Sequence, residues 1–234
     1  MKALKLFLFF FAMLLAQFVS AHTMWVQVAP SGKKGVPQQV KVFFGEFSWG
    51  QPTQTAKWFS DIKDYRLMVT APDGTTTELT QKQQDSLCYI TEFTPEQDGV
   101  YTFWFHHEVK DVYKDKKLTY TSAAFLNVNA GKKDQVTLGQ GQYQLSVPNL
   151  KKPDHIIYLD GGKAAANQVL EIVQEGNKEG LTVMTNDKGE IQFPKDWKGN
   201  YLIEIPDSKK VDPTDHNGKV YEYDYKTFSY YLNL

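Results

Sequence analysis

The chain has 234 residues, a formal net charge of −1, 23% charged residues and 14% aromatic residues. This apolar and evenly charged composition excludes an intrinsically disordered chain, and the near-zero net charge argues against a nucleic-acid partner. The single cysteine, Cys88, excludes an internal disulfide and a cysteine-based zinc cage. Cys88 lies in the apolar segment 87–90, and we interpret it as an unreactive core thiol.

The first 21 residues have the features of a secretory signal peptide. Lys2 and Lys5 precede an unbroken apolar run over residues 6–16, and Val19 and Ala21 stand at the −3 and −1 positions of a cleavage site. The run is too short for a membrane span, which needs about 20 apolar residues. We therefore predict that residues 1–21 are removed, that His22 begins the mature chain, and that this chain has no membrane span. Export with so little cysteine favours the bacterial periplasm.

The mature chain is predicted to consist of short β-strands. Apolar residues alternate with polar ones in many short runs, turn sequences such as Pro72-Asp73-Gly74 separate them, and no long helical periodicity occurs. This pattern predicts an all-β fold of two Ig-like β-sandwich domains, over residues 22–140 and 141–234. The clearest apolar runs, in chain order, are Met24, Val26 and Val28; Val40, Val42 and Phe44; Tyr101, Phe103 and Phe105; Leu118, Tyr120, Ser122, Ala124, Leu126 and Val128; Tyr143, Leu145 and Val147; Tyr201, Ile203 and Ile205; and Phe228, Tyr230 and Leu232.

No catalytic motif is present in the sequence. The serine nucleophile elbow, the His-Glu-x-x-His zinc motif, the phosphate-binding loop and the dinucleotide-binding glycine motif are all missing. The sequence therefore favours a binding protein over an enzyme.

The predicted N-terminal histidine suggests metal binding. A mature chain that begins at His22 offers two nitrogens from one residue, the α-amine and ring Nδ1, which can chelate one ion. A late first-row metal can displace the amine proton near neutral pH, because a free α-amine titrates at about 7.7–8.0. Amine and imidazole nitrogens suit nickel, cobalt, copper and zinc. We therefore predict that His22 is a metal ligand.

The second histidine ligand is predicted to be one of the neighbours His106 and His107. Neighbours on a strand point to opposite faces, so only one of the two can join His22 at a mononuclear site. The residues leave open which of them does so. His155 and His216 are expected in surface loops.

Several short motifs resemble the NikM-like bacterial exported proteins, a domain-of-unknown-function family associated with nickel and cobalt uptake. The start Ala21-His22-x-x-Trp25-Val26 is similar to the Ala-His-x-x-Trp-Leu start of that family. Glu46 stands where many relatives carry a histidine, which leaves its role as a ligand open. Further similar segments are Gly45-x-Phe47, Phe93-Thr94-Pro95 with Gly99-Val100-Tyr101, residues 120–128, Asp160-Gly161-Gly162-Lys163 and Thr185-Asn186-Asp187-x-Gly189.

The resemblance implies a transthyretin-like second sandwich and a periplasmic protein that binds nickel or cobalt and assists a membrane uptake transporter without catalysis. Copper and zinc stay as alternative ions.

A different function is also compatible with the sequence. The alternating Tyr221, Tyr223 and Tyr225 could form an aromatic row of a glycan- or protein-binding module of the cell envelope. An N-terminal histidine and a second histidine on a β-sandwich also resemble the histidine brace of lytic polysaccharide monooxygenases. The rest of the chain does not resemble those copper enzymes.

Overall fold

A computed structural model describes residues 22–129, 135–150, 155–193 and 197–234. The predicted signal peptide, residues 1–21, lies outside these ranges. The described chain forms 19 strands, β1 to β19, and three short 3₁₀ helices at Phe47–Trp49, Thr55–Lys57 and Ile62–Asp64. The predicted all-β sandwich class is confirmed. In the ranges described, no helix has the length and apolar character needed to cross a bilayer.

The strands form three sheets, which we call the N-terminal, central and C-terminal sheets. The N-terminal sheet contains β1 (Thr23–Gln27), β3 (Gln38–Glu46), β4 (Gln51–Pro52), β7 (Gln83–Gln84) and β8 (Cys88–Phe93). The central sheet contains β2 (Ser31–Gly32), β5 (Met68–Thr70), β6 (Thr76–Glu78), β9 (Gly99–Glu108), β10 (Lys116–Val128), β15 (Val169–Gln174), β16 (Leu181–Met184), β18 (Asn200–His216) and β19 (Lys219–Asn233). The C-terminal sheet contains β11 (Val136–Leu138), β12 (Tyr143–Val147), β13 (His155–Asp160), β14 (Lys163–Ala164) and β17 (Glu190–Gln192).

The middle of the central sheet is buried on both faces. Successive side chains of a strand point to opposite sides, and here each side meets a different hydrophobic core. On β10, Ala124 joins the core under the N-terminal sheet, whereas Ala123 joins the core under the C-terminal sheet. On β18, Leu202 joins the core under the N-terminal sheet and Ile203 joins the core under the C-terminal sheet. The fold therefore has three layers, with the nine-stranded sheet in the middle.

Strands from both predicted domains enter this central sheet. β10, from the first half of the chain, pairs in parallel with β19 from the second half, from Lys116 opposite Tyr223 to Ala123 opposite Tyr230. The division at residues 140 and 141 stays a prediction, but the two cores share one continuous sheet.

The first strand is tied to the central sheet by two serines. β1 pairs antiparallel with β3 along one edge. Along its other edge, the Val26 amide donates to Ser122 Oγ at 3.0 Å, and the Ser229 hydroxyl donates to the Met24 carbonyl at 2.6 Å. The Ser122 hydroxyl in turn donates to the Ser229 carbonyl at 2.9 Å. Because these groups are buried, the bonds satisfy backbone atoms that water cannot reach, and they fix the position of the chain that follows His22.

Candidate metal centre

His22 and Glu46 lie side by side although 23 residues separate them in the sequence. The antiparallel register pairs Thr23 with Gly45, and this places the preceding and following residues opposite each other. His22 Nδ1 lies 2.9 Å from Glu46 Oε1, with the histidine side chain 50% exposed and the glutamate side chain 20% exposed. The His22 ring also packs on Phe44, at 5.3 Å between ring centroids. One imidazole nitrogen and one carboxylate oxygen therefore meet at an accessible point.

The backbone around Glu46 permits only glycine on its N-terminal side. Gly45 has a φ of +148°, and a Cβ atom there would lie 2.7 Å from the Thr53 nitrogen and 2.9 Å from the Pro52 α-carbon. On the other side, Phe47 is buried and packs edge-on against Trp25 at 5.3 Å. The residues on both sides of Glu46 are therefore fixed, Gly45 by its close contact with the backbone of residues 52–53 and Phe47 by its packing on Trp25. This limits the positions that the Glu46 carboxylate can reach.

The two central histidines face different sides of the central sheet, as the alternation predicts. His106 Nδ1 lies 2.9 Å from the Thr121 hydroxyl, and burial lowers the pKa of its imidazole. Its strand neighbour Trp104, on the same side, packs against the C-terminal core. His106 therefore lies on the side of β9 away from the N-terminal sheet, which carries His22.

His107 lies on the same side of the central sheet as the N-terminal core but has a different neighbour. Its Nε2 is 3.6 Å from Asp61 Oδ1, its side chain is 11% exposed, and Nε2 makes no hydrogen bond. Over the described ranges, no three His, Cys, Asp or Glu side chains are grouped so that they could hold a metal ion. The structure therefore brings His22 together with Glu46, and it does not group either His106 or His107 with them into a three-side-chain site.

The remaining histidines lie in strands rather than in the surface loops expected from the sequence. His155 begins β13, and its Nε2 is 3.7 Å from Glu190 Oε1. His216 ends β18, and its Nε2 lies 2.9 Å from the Val109 carbonyl oxygen. Each histidine has its own local partner and lies apart from the His22–Glu46 pair in the fold.

Two carboxylates near this pair were not singled out by the sequence. Glu171 on β15 and Glu204 on β18 are direct cross-strand neighbours on the central sheet. Burial, with Glu171 and Glu46 nearby, raises the pKa of Glu204 from 4.5 to about 8. Burial also raises the pKa of Glu171, and it raises the pKa of Glu46 against the opposing effect of His22. The only sequence signal was a lone glutamate between apolar residues in each strand.

The tyrosine row of the alternative hypothesis is half-buried. Tyr225 packs against the N-terminal core. The ring of Tyr223 is approached by Lys116 Nζ at 5.5 Å and by Lys210 Nζ at 5.9 Å. Lysine side chains therefore flank part of the aromatic surface that a sugar ring would have to cover.

Neither a protein-family model nor a curated protein matches this chain.

Proposed function

We propose that this is a periplasmic transition-metal-binding protein that captures nickel or cobalt at its mature N-terminus, without catalysis. The observation that carries the proposal is the 2.9 Å contact between His22 Nδ1 and Glu46 Oε1. Removal of the predicted signal peptide would add the α-amine of His22 to these two donors. Three donors of types that late first-row metals accept would then lie at the end of one strand pair.

The 2.9 Å between His22 Nδ1 and Glu46 Oε1 is a hydrogen-bond distance, so a metal ion would have to displace the proton between these two atoms. Imidazole and amine nitrogens suit nickel, cobalt, copper and zinc.

The role in uptake rests on the resemblance to the NikM-like exported proteins. In this proposal the metal ion is cargo, and a membrane transporter is the partner that receives it. The half-exposed His22 ring supports exchange, because an ion bound at its edge can be reached from solvent.

The proposal is tested by exporting the protein to a bacterial periplasm, measuring its intact mass, and titrating it with Ni²⁺, Co²⁺, Cu²⁺ and Zn²⁺ by calorimetry. The expected result is a chain that begins at His22 and binds one equivalent of Ni²⁺ or Co²⁺ with a Kd below about 10 μM. His22→Ala should abolish this binding, and Glu46→Gln should weaken it at least about tenfold.

Two controls separate the site from general surface binding. His155→Ala removes a different histidine that has a carboxylate neighbour, and Glu179→Gln removes one exposed negative charge elsewhere. Both should bind like the parent protein. Absence of binding in the parent, or equal binding by a chain extended upstream of His22, would overturn the proposal.

A further inference from the structure

Glu171 and Glu204 lie beneath the start of the first strand. Glu204 pairs across the central sheet with Glu171 on one side and with Ser229 on the other. Ser229 is the residue whose hydroxyl binds the Met24 carbonyl. The row of the central sheet that contains both glutamates therefore runs directly under the chain that follows His22.

No lysine or arginine in the described part of the chain forms an ion pair with these carboxylates. Among the described residues, the ion pairs of lysine and arginine all involve other acidic groups. The charges that act on Glu204 are the carboxylates of Glu171 and Glu46. A half-buried group of three glutamates, one of which contacts the His22 ring, favours the binding of a cation.

Two buried threonine hydroxyls lie next to the group. Thr23 is 3% exposed and Thr227 is 6% exposed, and neither side-chain oxygen has a partner at close hydrogen-bond distance. The Thr23 hydroxyl lies beside the Glu204 carboxyl and opposes the rise in its pKa. The Thr227 hydroxyl likewise lowers the pKa of Tyr225, which burial and the nearby Glu204 and Glu171 raise. The Thr23 hydroxyl therefore faces the Glu204 carboxyl rather than solvent.

We propose that Glu204, with Glu171 behind it, accepts the α-ammonium group that signal removal creates on His22. A primary ammonium carries three donors and a positive charge, which fits a group of carboxylates bordered by a buried hydroxyl. A metal ion held by three side chains fits less well, because the described side chains form no such group.

The nitrogen is within reach of this position. The His22 ring is bound to Glu46, and the next residue, Thr23, has its hydroxyl beside Glu204. The main-chain nitrogen of His22 therefore belongs to the residue that contacts Glu46 and lies next in the chain to the residue that contacts Glu204. This inference rests on the processing step of the proposed function, and it makes Glu204 a positioning residue that holds the amine next to Nδ1. A ligand's remaining N–H groups commonly bind a carboxylate in this way.

The test uses four metal-free proteins in EDTA. Two have His22 as the first residue, produced by cleavage of an N-terminal fusion, and two retain a Ser-Gly extension; each form is made with Glu204 and with Glu204→Gln. In the chain that begins at His22, Glu204→Gln should lower Tm by about 5 °C or more, because it leaves a positive group without its partner. In the extended chain, the same substitution should leave Tm unchanged or raise it, because it relieves repulsion.

A second readout reports the amine itself. At pH 7, the α-amine of the docked chain should be acylated at least about tenfold more slowly than that of a free peptide with the same first residues, and Glu204→Gln should restore the peptide rate. Glu179→Gln should leave both Tm and the acylation rate unchanged. An equal effect of Glu204→Gln on both N-termini, or a peptide-like rate in the parent, would overturn the inference. Because no metal is present, a failure here is distinct from a failure to bind nickel or cobalt.

Discussion

The raised pKa of Glu204 predicts a specific pH dependence of stability in the chain that retains residues before His22. The folded chain holds the Glu204 proton with a pKa of about 8, against 4.5 for an ordinary glutamate. The unfolded chain therefore binds fewer protons than the folded chain between these values. Stability must then fall as the pH rises through this interval.

The magnitude follows from the two pKa values. Linkage with a folded pKa of about 8 and an unfolded pKa of 4.5 gives a loss of about 2 kcal/mol between pH 6 and pH 8. For a chain of this size, that loss corresponds to a decrease in Tm of about 4–8 °C. Solvent access to the half-buried carboxyl makes this an upper range.

The assay is thermal unfolding followed by circular dichroism at pH 6, 7 and 8, without metal, for the extended chain and its Glu204→Gln variant. The Glu204→Gln variant should lose most of the decrease in Tm between pH 6 and pH 8, because glutamine does not titrate. The Glu179→Gln variant should show the same decrease in Tm as the parent. The chain that begins at His22 should show a shallower decrease, because its α-ammonium favours ionised Glu204. If Glu204→Gln keeps the full pH slope of the parent, the assignment of the buried proton to Glu204 is wrong.

Three further outcomes are expected from the packing around the site and from the core. Gly45→Ala should destabilise the protein by about 1–3 kcal/mol in urea unfolding, because its Cβ would meet backbone atoms. Gly180→Ala should have little effect, because its Cβ would meet nothing closer than 3.8 Å. Equal effects of the two substitutions would show that the close backbone contacts of Gly45 do not require glycine. Ser229→Ala should cost about 1–3 kcal/mol, because the buried Met24 carbonyl loses its donor, while exposed Ser208→Ala should be neutral; a neutral Ser229→Ala would show that this bond does not stabilise β1. Cys88 is 4% exposed and burial raises the pKa of its thiol, so a thiol reagent should label the native protein at least about 100-fold more slowly than the urea-unfolded protein; fast native labelling would contradict a core position.

The three-layer arrangement shows a limit of periodicity arguments. In β10, the alternation of Leu118, Tyr120, Ala124 and Leu126 correctly predicted a strand with one apolar face. The intervening positions are buried as well: Thr119 and Thr121 are 3% and 2% exposed, and Ala123 and Phe125 pack into the core under the C-terminal sheet. Polar residues on the second face of a strand indicate a solvent-exposed face only if no other sheet packs against it. The sequence of one strand does not show which other elements pack against it.

The candidate site divides in a similar way. The sequence singled out His22 through its place at the predicted cleavage point, and the strand alternation predicted that His106 and His107 face opposite sides. The pairing of His22 with Glu46 depends on the register of β1 and β3. The approach of Glu171 and Glu204 depends on how two distant strands pair in the central sheet, and neither glutamate belongs to a motif.

The sequence by itself determined the all-β class, most of the strands and the core thiol environment of Cys88. Alternation and turn residues act over a few neighbours, so these properties are local. Only the tertiary structure decided that one sheet serves both cores, that Glu46 is the neighbour of His22, and that Glu204 is half-buried beside other carboxylates. Those properties depend on contacts between residues far apart in the chain. They also depend on the removal of water from the Glu204 carboxylate, which would stay hydrated in a solvent-exposed strand.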